Sequence, residues 1–187
     1  MVSRRFANLY RFEGSEPRWH QSAFIAPNAT LVGDVEIGEK SSIWYNCLLR
    51  GDVNKIVVGA HSNIQDSTVI HVRSRELGGT PNPTIVGEHV TVGHAALLHA
   101  CTCHDFSFVG MQACLLDFAV VESEAMVAAG ALVPMRTVVK AGELWVGRPA
   151  RKLRDLTDAE RAFIRESARA YTAFAEAHQL SLAPISN

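Results

Sequence analysis

Three histidines, His71, His94 and His99, are the side chains of this sequence best suited to hold a divalent metal ion. His94 and His99 lie five positions apart in "VGHAALLHAC", whereas two helical ligands of one zinc lie four apart, as in His-Glu-x-x-His. On one strand, an odd separation would point the two rings to opposite faces. Whether they share an ion therefore depends on the elements that carry them.

A six-residue repeat of apolar positions defines those elements. Every sixth residue from Leu97 to Trp145 is apolar, and a second series runs from Ile25 to Leu49. A period of six suits neither a helix nor a heptad, but it suits short strands that send one side chain inward before a corner, where glycine, asparagine and aspartate fit the backbone. The repeat predicts a mainly β fold, a parallel β-helix of triangular section with three strands a coil. It resembles the hexapeptide class of solenoid, whose known members are left-handed.

One interruption and one change of period mark the organisation of the chain. The loop "SRELGGTPNP", residues 74–83, separates Ile70 from Val86, and removing its ten residues restores the spacing of six. We therefore expect a β-helix domain over residues 1–154, with the loop as an excursion from one coil. Residues 155–187 are predicted to form an amphipathic helix and a tail. Thr157 and Glu160 form a capping box, and the predicted apolar stripe comprises Phe163, Ala170, Tyr171, Phe174 and Ala177.

The coil length explains the spacing of the histidines. His71 and His99 are 28 positions apart, which becomes 18, or one coil of three strands, once the loop is removed. We therefore expect the two rings to be stacked neighbours, with His94 on the preceding side of the triangle. In a homotrimer with parallel axes, His94 of a neighbouring subunit could meet His71 and His99, so the predicted site is divided between chains.

Three neutral imidazoles with one open coordination position form the donor set of a catalytic zinc site, where the pKa of bound water falls to about 7. The remaining histidines are assigned packing or solvent roles: His20, His61, His89, His104 and His178. Cys101, Cys103 and His104 offer a second metal-ligand set, but Cys103 falls on an apolar core position of the repeat.

The segments "LLRGDVNKI", "NIQDSTVIH" and "VTVGHAALLHAC" resemble the γ-class carbonic anhydrases, and the resemblance extends from about Phe24 to Arg154. It implies a left-handed β-helix homotrimer that hydrates carbon dioxide reversibly to bicarbonate. It also implies metal sites at the subunit interfaces that bind zinc (Zn²⁺), with Fe²⁺ or Co²⁺ in some members. His71 and His99 match the ligands of one subunit, and His94 matches the ligand of the other.

The same resemblance implies roles for five further residues. Arg50 and Asp52 match an intersubunit ion pair near the metal, and a guanidinium–carboxylate pair suits a partly buried interface. Gln65 matches the side chain that contacts the metal-bound water, Asp66 accompanies it, and Asn63 matches a further polar position. The sequence departs from the archaeal prototype in two places. Val53 replaces a glutamate, and Glu76 is the only acid of the 74–83 loop, so proton removal is expected to be slower.

Composition and charge exclude several classes of protein. A net charge of −1 gives no reason to expect a nucleic acid or an anionic membrane as partner. No apolar run reaches the length of a membrane span. Four cysteines are few for a disulfide scaffold. The N-terminal segment has no apolar signal region, so we expect a cytoplasmic protein, with a mitochondrial presequence as the alternative.

Three other functions compete with carbonic anhydrase activity. The same metal site could support a thioesterase or another hydrolase, or it could be retained in a catalytically weak structural trimer. Many hexapeptide proteins are acyl-CoA transferases that use an unmetallated histidine as base. The complete set of three histidines argues against that third function.

Overall fold

The computed structural model describes residues 8–74, 76 and 78–183, which form short β-strands followed by one helix. The strands are β1 (Asn8–Tyr10), β2 (Arg18–Trp19), β3 (Phe24–Ile25), β4 (Thr30–Ile37), β5 (Ser42–Ile43), β6 (Leu48–Val58), β7 (Asn63–Ile64), β8 (Val69–His71), β9 (Thr84–Val86), β10 (Thr91–Val92), β11 (Leu97–His99), β12 (Thr102–Cys103), β13 (Phe108–Val109), β14 (Cys114–Leu115), β15 (Val120–Val121), β16 (Met126–Val127), β17 (Leu132–Val133), β18 (Val138–Val139), β19 (Glu143–Val146) and β20 (Arg151–Asp155). The helix α1 spans Asp158–Ser181. Residues 1–7 and 184–187, which the predicted domain and tail include, lie outside the described residues.

The strands stack into a solenoid with three sides. We call one side the open face; it consists of β1, the first halves of β4 and β6, and then β8, β11, β14 and β17. The helix face consists of β3, β5, β7, β10, β13, β16 and β19, and the third face completes each coil. Neighbouring coils pair in parallel, and among the strands of the described residues β20 alone pairs antiparallel, against β19. The prediction of a parallel β-solenoid with one C-terminal helix is confirmed.

The solenoid is filled by the apolar series that the repeat predicts, with one correction. From Cys103 to Val139, every sixth residue is fully buried. Leu97 was predicted to belong to this series, but it is 39% exposed, and Leu98, at 1%, occupies the interior position instead. The coil is one residue shorter between Leu98 and Cys103, which moves the interior position by one and turns Leu97 outward.

The corners differ from the expectation drawn from glycine. Left-handed backbone is found at corner residues that carry side chains, among them His61, His89 and Phe106. The glycines that follow the apolar positions serve a different purpose. A Cβ at Gly59 or Gly93 would overlap the backbone of the next coil, so glycine is required there for close stacking of coils.

The loop leaves the solenoid between His71 and Thr84 and is closed at its base. Arg73 and Asn82 form an antiparallel bridge, and Asn82 Nδ2 donates to the Ala100 carbonyl oxygen at 2.6 Å. The predicted excursion from one coil is therefore present, and it starts directly after His71.

Helix α1 begins at the predicted capping box, in which Thr157 accepts a hydrogen bond from the Glu160 backbone and Glu160 accepts one from Thr157. The predicted apolar stripe was wrong in register, because Phe163 and Phe174 are exposed. The buried side chains are Ile164, Ser167, Ala168 and Ala175. Serine and alanine allow α1 to approach the helix face closely, while the bulkier rings flank the contact. Among the described residues, no helix has the length and apolarity needed to cross a membrane.

Candidate metal centre

His71 and His99 stand side by side at the edge where the chain leaves the open face. They end β8 and β11, which are register partners. His71 Nδ1 lies 3.2 Å from His99 Nε2, and the ring centroids are 5.2 Å apart. The one-coil spacing in the sequence thus brings two imidazole nitrogens together, each with a lone pair or proton directed at the other.

The outward nitrogens of this pair are held by carboxylates. His71 Nε2 lies 3.0 Å from Asp52 Oδ1, and His99 Nδ1 lies 2.6 Å from Asp117 Oδ1. A carboxylate on the second nitrogen of a histidine fixes its tautomer and raises its basicity as a metal ligand. The pair therefore has the environment of two metal ligands.

Each of these carboxylates is backed by a guanidinium group. Arg50 Nη1 binds Asp52, and Arg73 Nη1 donates to Asp117 Oδ2 at 2.6 Å. Partial burial opposes ionisation of both carboxyls, but the hydrogen bonds from histidine and arginine outweigh it and lower the pKa of each. Both groups are therefore carboxylates at neutral pH.

The protonation of His71 also suits metal binding. Partial burial lowers the pKa of its imidazole, and this effect exceeds the opposing hydrogen bond to Asp52. The ring is therefore neutral at pH 7, the form in which histidine coordinates a metal.

Asp117 and Arg73 were not among the predicted site residues. A signal for Asp117 was present, since it lies 18 positions after His99, the nominal length of one coil. The coil at this point has 17 residues, from Leu98 to its partner Leu115, so Asp117 falls one residue past the position that pairs with His99. Arg73 carries no such signal, because it belongs to the loop and reaches Asp117 only through the way the loop folds back.

The glycine between Arg50 and Asp52, Gly51, is required for steric reasons. It lies within β6, and a Cβ there would overlap the Asp34 carbonyl of the preceding coil. Arg50 and Asp52 therefore project from a tightly stacked strand. Within this chain the two side chains bind each other, whereas the resemblance implied a pair between subunits.

His94 lies at the opposite edge of the open face, in the corner between β10 and β11. Its Nδ1 is 2.9 Å from Asp66 Oδ2, so its Nε2 is left to face outward. The backbone secures this contact, because Ala95 N donates to the Asp66 carbonyl oxygen at 2.8 Å. His94 therefore also has a carboxylate partner, but it does not contact His71 or His99.

Gln65 and Asn63 lie on the same side as His94, in a buried hydrogen-bond chain. Gln65 Nε2 donates to Asn63 Oδ1 at 3.0 Å, and Asn63 Nδ2 donates to Thr91 Oγ1 at 3.0 Å. Thr91 Oγ1 in turn lies 3.0 Å from Ser167 Oγ of α1. The helix therefore fixes the orientation of the Gln65 amide, and among the described residues no donor is bound to Gln65 Oε1.

The predicted site residues thus form two groups at opposite edges of the open face. The paired-histidine half comprises Arg50, Asp52, His71 and His99, together with Asp117. The single-histidine half comprises Asn63, Gln65, Asp66 and His94. Within the part of the chain that the structure describes, no cluster of three or more His, Cys, Asp and Glu side chains is arranged to hold a metal ion.

The alternative cysteine site is not assembled. Cys101 and Cys103 are both fully buried in the core, and His104 is exposed at the surface. The hydrogen bond with Cys103 raises the pKa of the Cys101 thiol, and burial raises it further. Both cysteines therefore act as core residues, as the repeat predicts for Cys103.

The chain is similar to known proteins in both sequence and structure. No family model matches the chain. It is 55% identical over 174 residues to "Gamma carbonic anhydrase 1, mitochondrial" of Arabidopsis thaliana, and the aligned region covers 93% of this chain and 63% of that protein. It is 41% identical to "Probable carbonic anhydrase" of Methanocaldococcus jannaschii, over 81% of this chain and 92% of that protein. The chain thus spans somewhat less than two thirds of the plant relative.

A solved structure from Anaplasma phagocytophilum, described as a hexapeptide transferase family protein, superimposes with a TM-score of 0.85. It is 44% identical in sequence and covers 91% of this chain and 98% of its own. The two sequence relatives are named as carbonic anhydrases, and this structure is named for a transferase family. Similarity therefore supports one fold but two kinds of chemistry, carbonic anhydrase and transferase, and the residues of the site have to decide between them.

Proposed function

This chain belongs to the γ-class carbonic anhydrase-like family, and from that premise we propose that it is a zinc-dependent carbonic anhydrase. In this proposal it interconverts carbon dioxide and bicarbonate at a site shared by two subunits of a homotrimer. The observation that carries the proposal is the division of the site residues into two halves at opposite edges of one face. Each half contains histidine bound to carboxylate, and neither half holds a complete ligand set.

The surface between the two halves supports the trimer. The outward side chains of the open face form an apolar column along the solenoid: Leu48, Val69, Leu97, Cys114 and Leu132. Two exposed methionines lie in corners beside this face: Met111 precedes β14 and Met135 follows β17. Apolar side chains that remain partly exposed along one face are typical of protein–protein interfaces. A second copy that covers the column would bring its single-histidine half towards the paired-histidine half of the first.

The donor set fits zinc. His71, His99 and the His94 of a neighbouring subunit would supply three imidazole nitrogens, the ligands of catalytic zinc sites that keep one position open. Zinc bound there would lower the pKa of a coordinated water to about 7 and so supply a nucleophile at neutral pH. An acyl-CoA transferase that uses one histidine as a general base would need neither a third histidine nor a carboxylate hydrogen-bonded to each imidazole ring.

The chain's own residues would position the ligands and the substrate. Asp52 and Asp117 hold the outward nitrogens of the paired histidines, and Asp66 holds Nδ1 of His94. Gln65, whose amide nitrogen is already committed to Asn63, presents Oε1 as an acceptor for a reacting hydroxyl group. A neutral amide accepts that hydrogen bond without adding a negative charge that would raise the pKa of the hydroxyl.

Subunit complementation tests the shared site. The variants His71→Ala and His94→Ala should each lose zinc and carbon dioxide hydration. When the two are mixed in equal amounts and allowed to assemble, random association should restore about one quarter of the sites, because the intact halves then meet at some interfaces. Differently tagged subunits allow mixed trimers to be purified before zinc content and hydration rate are measured.

A matched control uses two variants of the same half. Mixtures of His71→Ala with His99→Ala can form no intact site, because both ligands must come from one chain. Recovery in this control, or no recovery in the first mixture, would contradict a shared site. If zinc returned without carbon dioxide hydration, the metal site would stand and the carbonic anhydrase activity would be refuted.

A further inference from the structure

A cavity of about 400 Å³ lies where α1 crosses the corner that carries Asp66. Its chemically distinctive walls are five rings and one carboxylate: Trp44, Tyr45, Tyr171, Phe174, His178 and Asp66. The volume falls in the range of small-molecule sites. Carbon dioxide is far smaller, so the proposed hydration reaction does not account for this space.

The rings line the cavity and pack edge to face on one another. The planes of Trp44 and Tyr171 meet at 87°, and those of Tyr171 and Phe174 meet at 78°. Hydrogen bonds hold two of these rings in place, because Tyr45 Oη lies 3.0 Å from His178 Nδ1 and Trp44 Nε1 donates to Ser42 Oγ at 2.9 Å. Aromatic faces carry partial negative charge and attract cations placed over them.

The charge of the cavity favours the same class of ligand. Asp66 is its only carboxylate, and among the described residues no lysine or arginine lines it. Burial raises the pKa of both Tyr45 and Tyr171, and the charge of Asp66 raises each further, so the field of the carboxylate reaches both phenols. An anion would be repelled here, and a metal ion would find a single carboxylate.

We propose that this cavity binds a small organic cation of the quaternary ammonium class. Methyl groups on the nitrogen would pack against Trp44, Tyr171 and Phe174, while Asp66 would balance the charge. Asp66 also binds His94, so the ligand would sit beside the single-histidine half. The proposal goes beyond the hydration of carbon dioxide and does not require a bound metal.

Calorimetric titration of the full-length protein with choline tests this proposal. The neutral comparison is dimethylbutanol, the uncharged carbon isostere of choline. Choline should bind, and it should bind more tightly than the isostere by about tenfold, the contribution of a desolvated cation–π contact. The preference should persist after zinc is removed by a chelator, which separates this outcome from that of the metal proposal.

Two phenylalanines of α1 provide a matched pair of variants. Phe174 lines the cavity, whereas Phe163 packs on Phe108 outside it, and both are 53% exposed. Phe174→Ala should weaken choline binding about tenfold, while Phe163→Ala should leave it unchanged. Asp66→Asn should remove the preference for choline over the isostere. Equal affinity for the two probes, equal effects of the two phenylalanine variants, or no binding at millimolar choline would overturn the proposal.

Discussion

The helix face and the open face of the solenoid are both apolar on the outside, yet among the described residues α1 covers only the helix face. The helix face presents Phe108, Met126 and Leu144 to α1, whose Ile164 packs into this group. The open face presents Leu48, Val69 and Leu97, and no described helix lies over them. Since both faces come from the same repeat, the repeat alone does not decide which face is covered, and the second copy proposed above would cover the open face.

Disrupting the open face should have the largest effect. Leu97→Arg places a charge in the middle of the apolar column and should weaken each subunit contact by about 2 kcal/mol or more. We expect monomers in sedimentation velocity, with loss of zinc and of carbon dioxide hydration, while circular dichroism stays that of a folded chain. Leu153→Arg is the control, because Leu153 is also an exposed leucine, at 59% against 39% for Leu97, but it lies on β20. Trimers that survive the Leu97 change would show that another surface holds the subunits.

Shortening a buried side chain at the helix face should lower the stability of the fold without affecting assembly of the subunits. Ile164 is fully buried between α1 and the solenoid, so Ile164→Ala should lower the free energy of unfolding by about 2–5 kcal/mol. Urea denaturation measures this loss at a fixed protein concentration, and sedimentation should still report trimers. Dissociation without a loss of stability would mean that the helix face, and not the open face, is the interface.

A change at one edge of the open face should have the smallest effect. Asp117→Asn removes the carboxylate behind His99, and loss of such a partner typically lowers metal affinity about 10-fold to 100-fold. Competition with a chromogenic chelator measures zinc affinity. Asp105→Asn is the matched control, because Asp105 accepts a hydrogen bond from the Glu88 backbone and belongs to neither half of the proposed site. If the two variants bound zinc equally well, Asp117 would have no part in holding His99 for the metal.

The sequence allowed much of the fold to be predicted because the repeat is local. An inward residue every six positions requires a short strand and a corner, and the same period places His71 beneath His99. One shortened coil was enough to misplace Leu97, since a shift of one residue reverses the side to which a strand residue points. Arithmetic on a repeat therefore holds only as long as each coil has its full length.

Contacts with the helix could not be predicted in the same way. The prediction that Phe163 and Phe174 lie on the buried face of α1 was wrong. The rotation of the helix about its axis depends on how closely Ser167 and Ala168 approach the sheet. The chain of hydrogen bonds from Ser167 to Gln65 depends on the same packing. Periodicity predicts that a helix is amphipathic, but the shape of the surface beneath it decides which residues are buried.

The sequence by itself determined the coil, the capping box at Thr157, and the stacking of His71 on His99, because each follows from spacing along the chain. The tertiary structure decided which carboxylate and arginine stand behind each histidine, as in the contact of Arg73 with Asp117. It also decided that α1 packs on the helix face and that Asp66 shares a cavity with five rings of the solenoid and α1. These features join residues far apart in sequence, and such contacts form only when the loop and the helix have packed onto the solenoid.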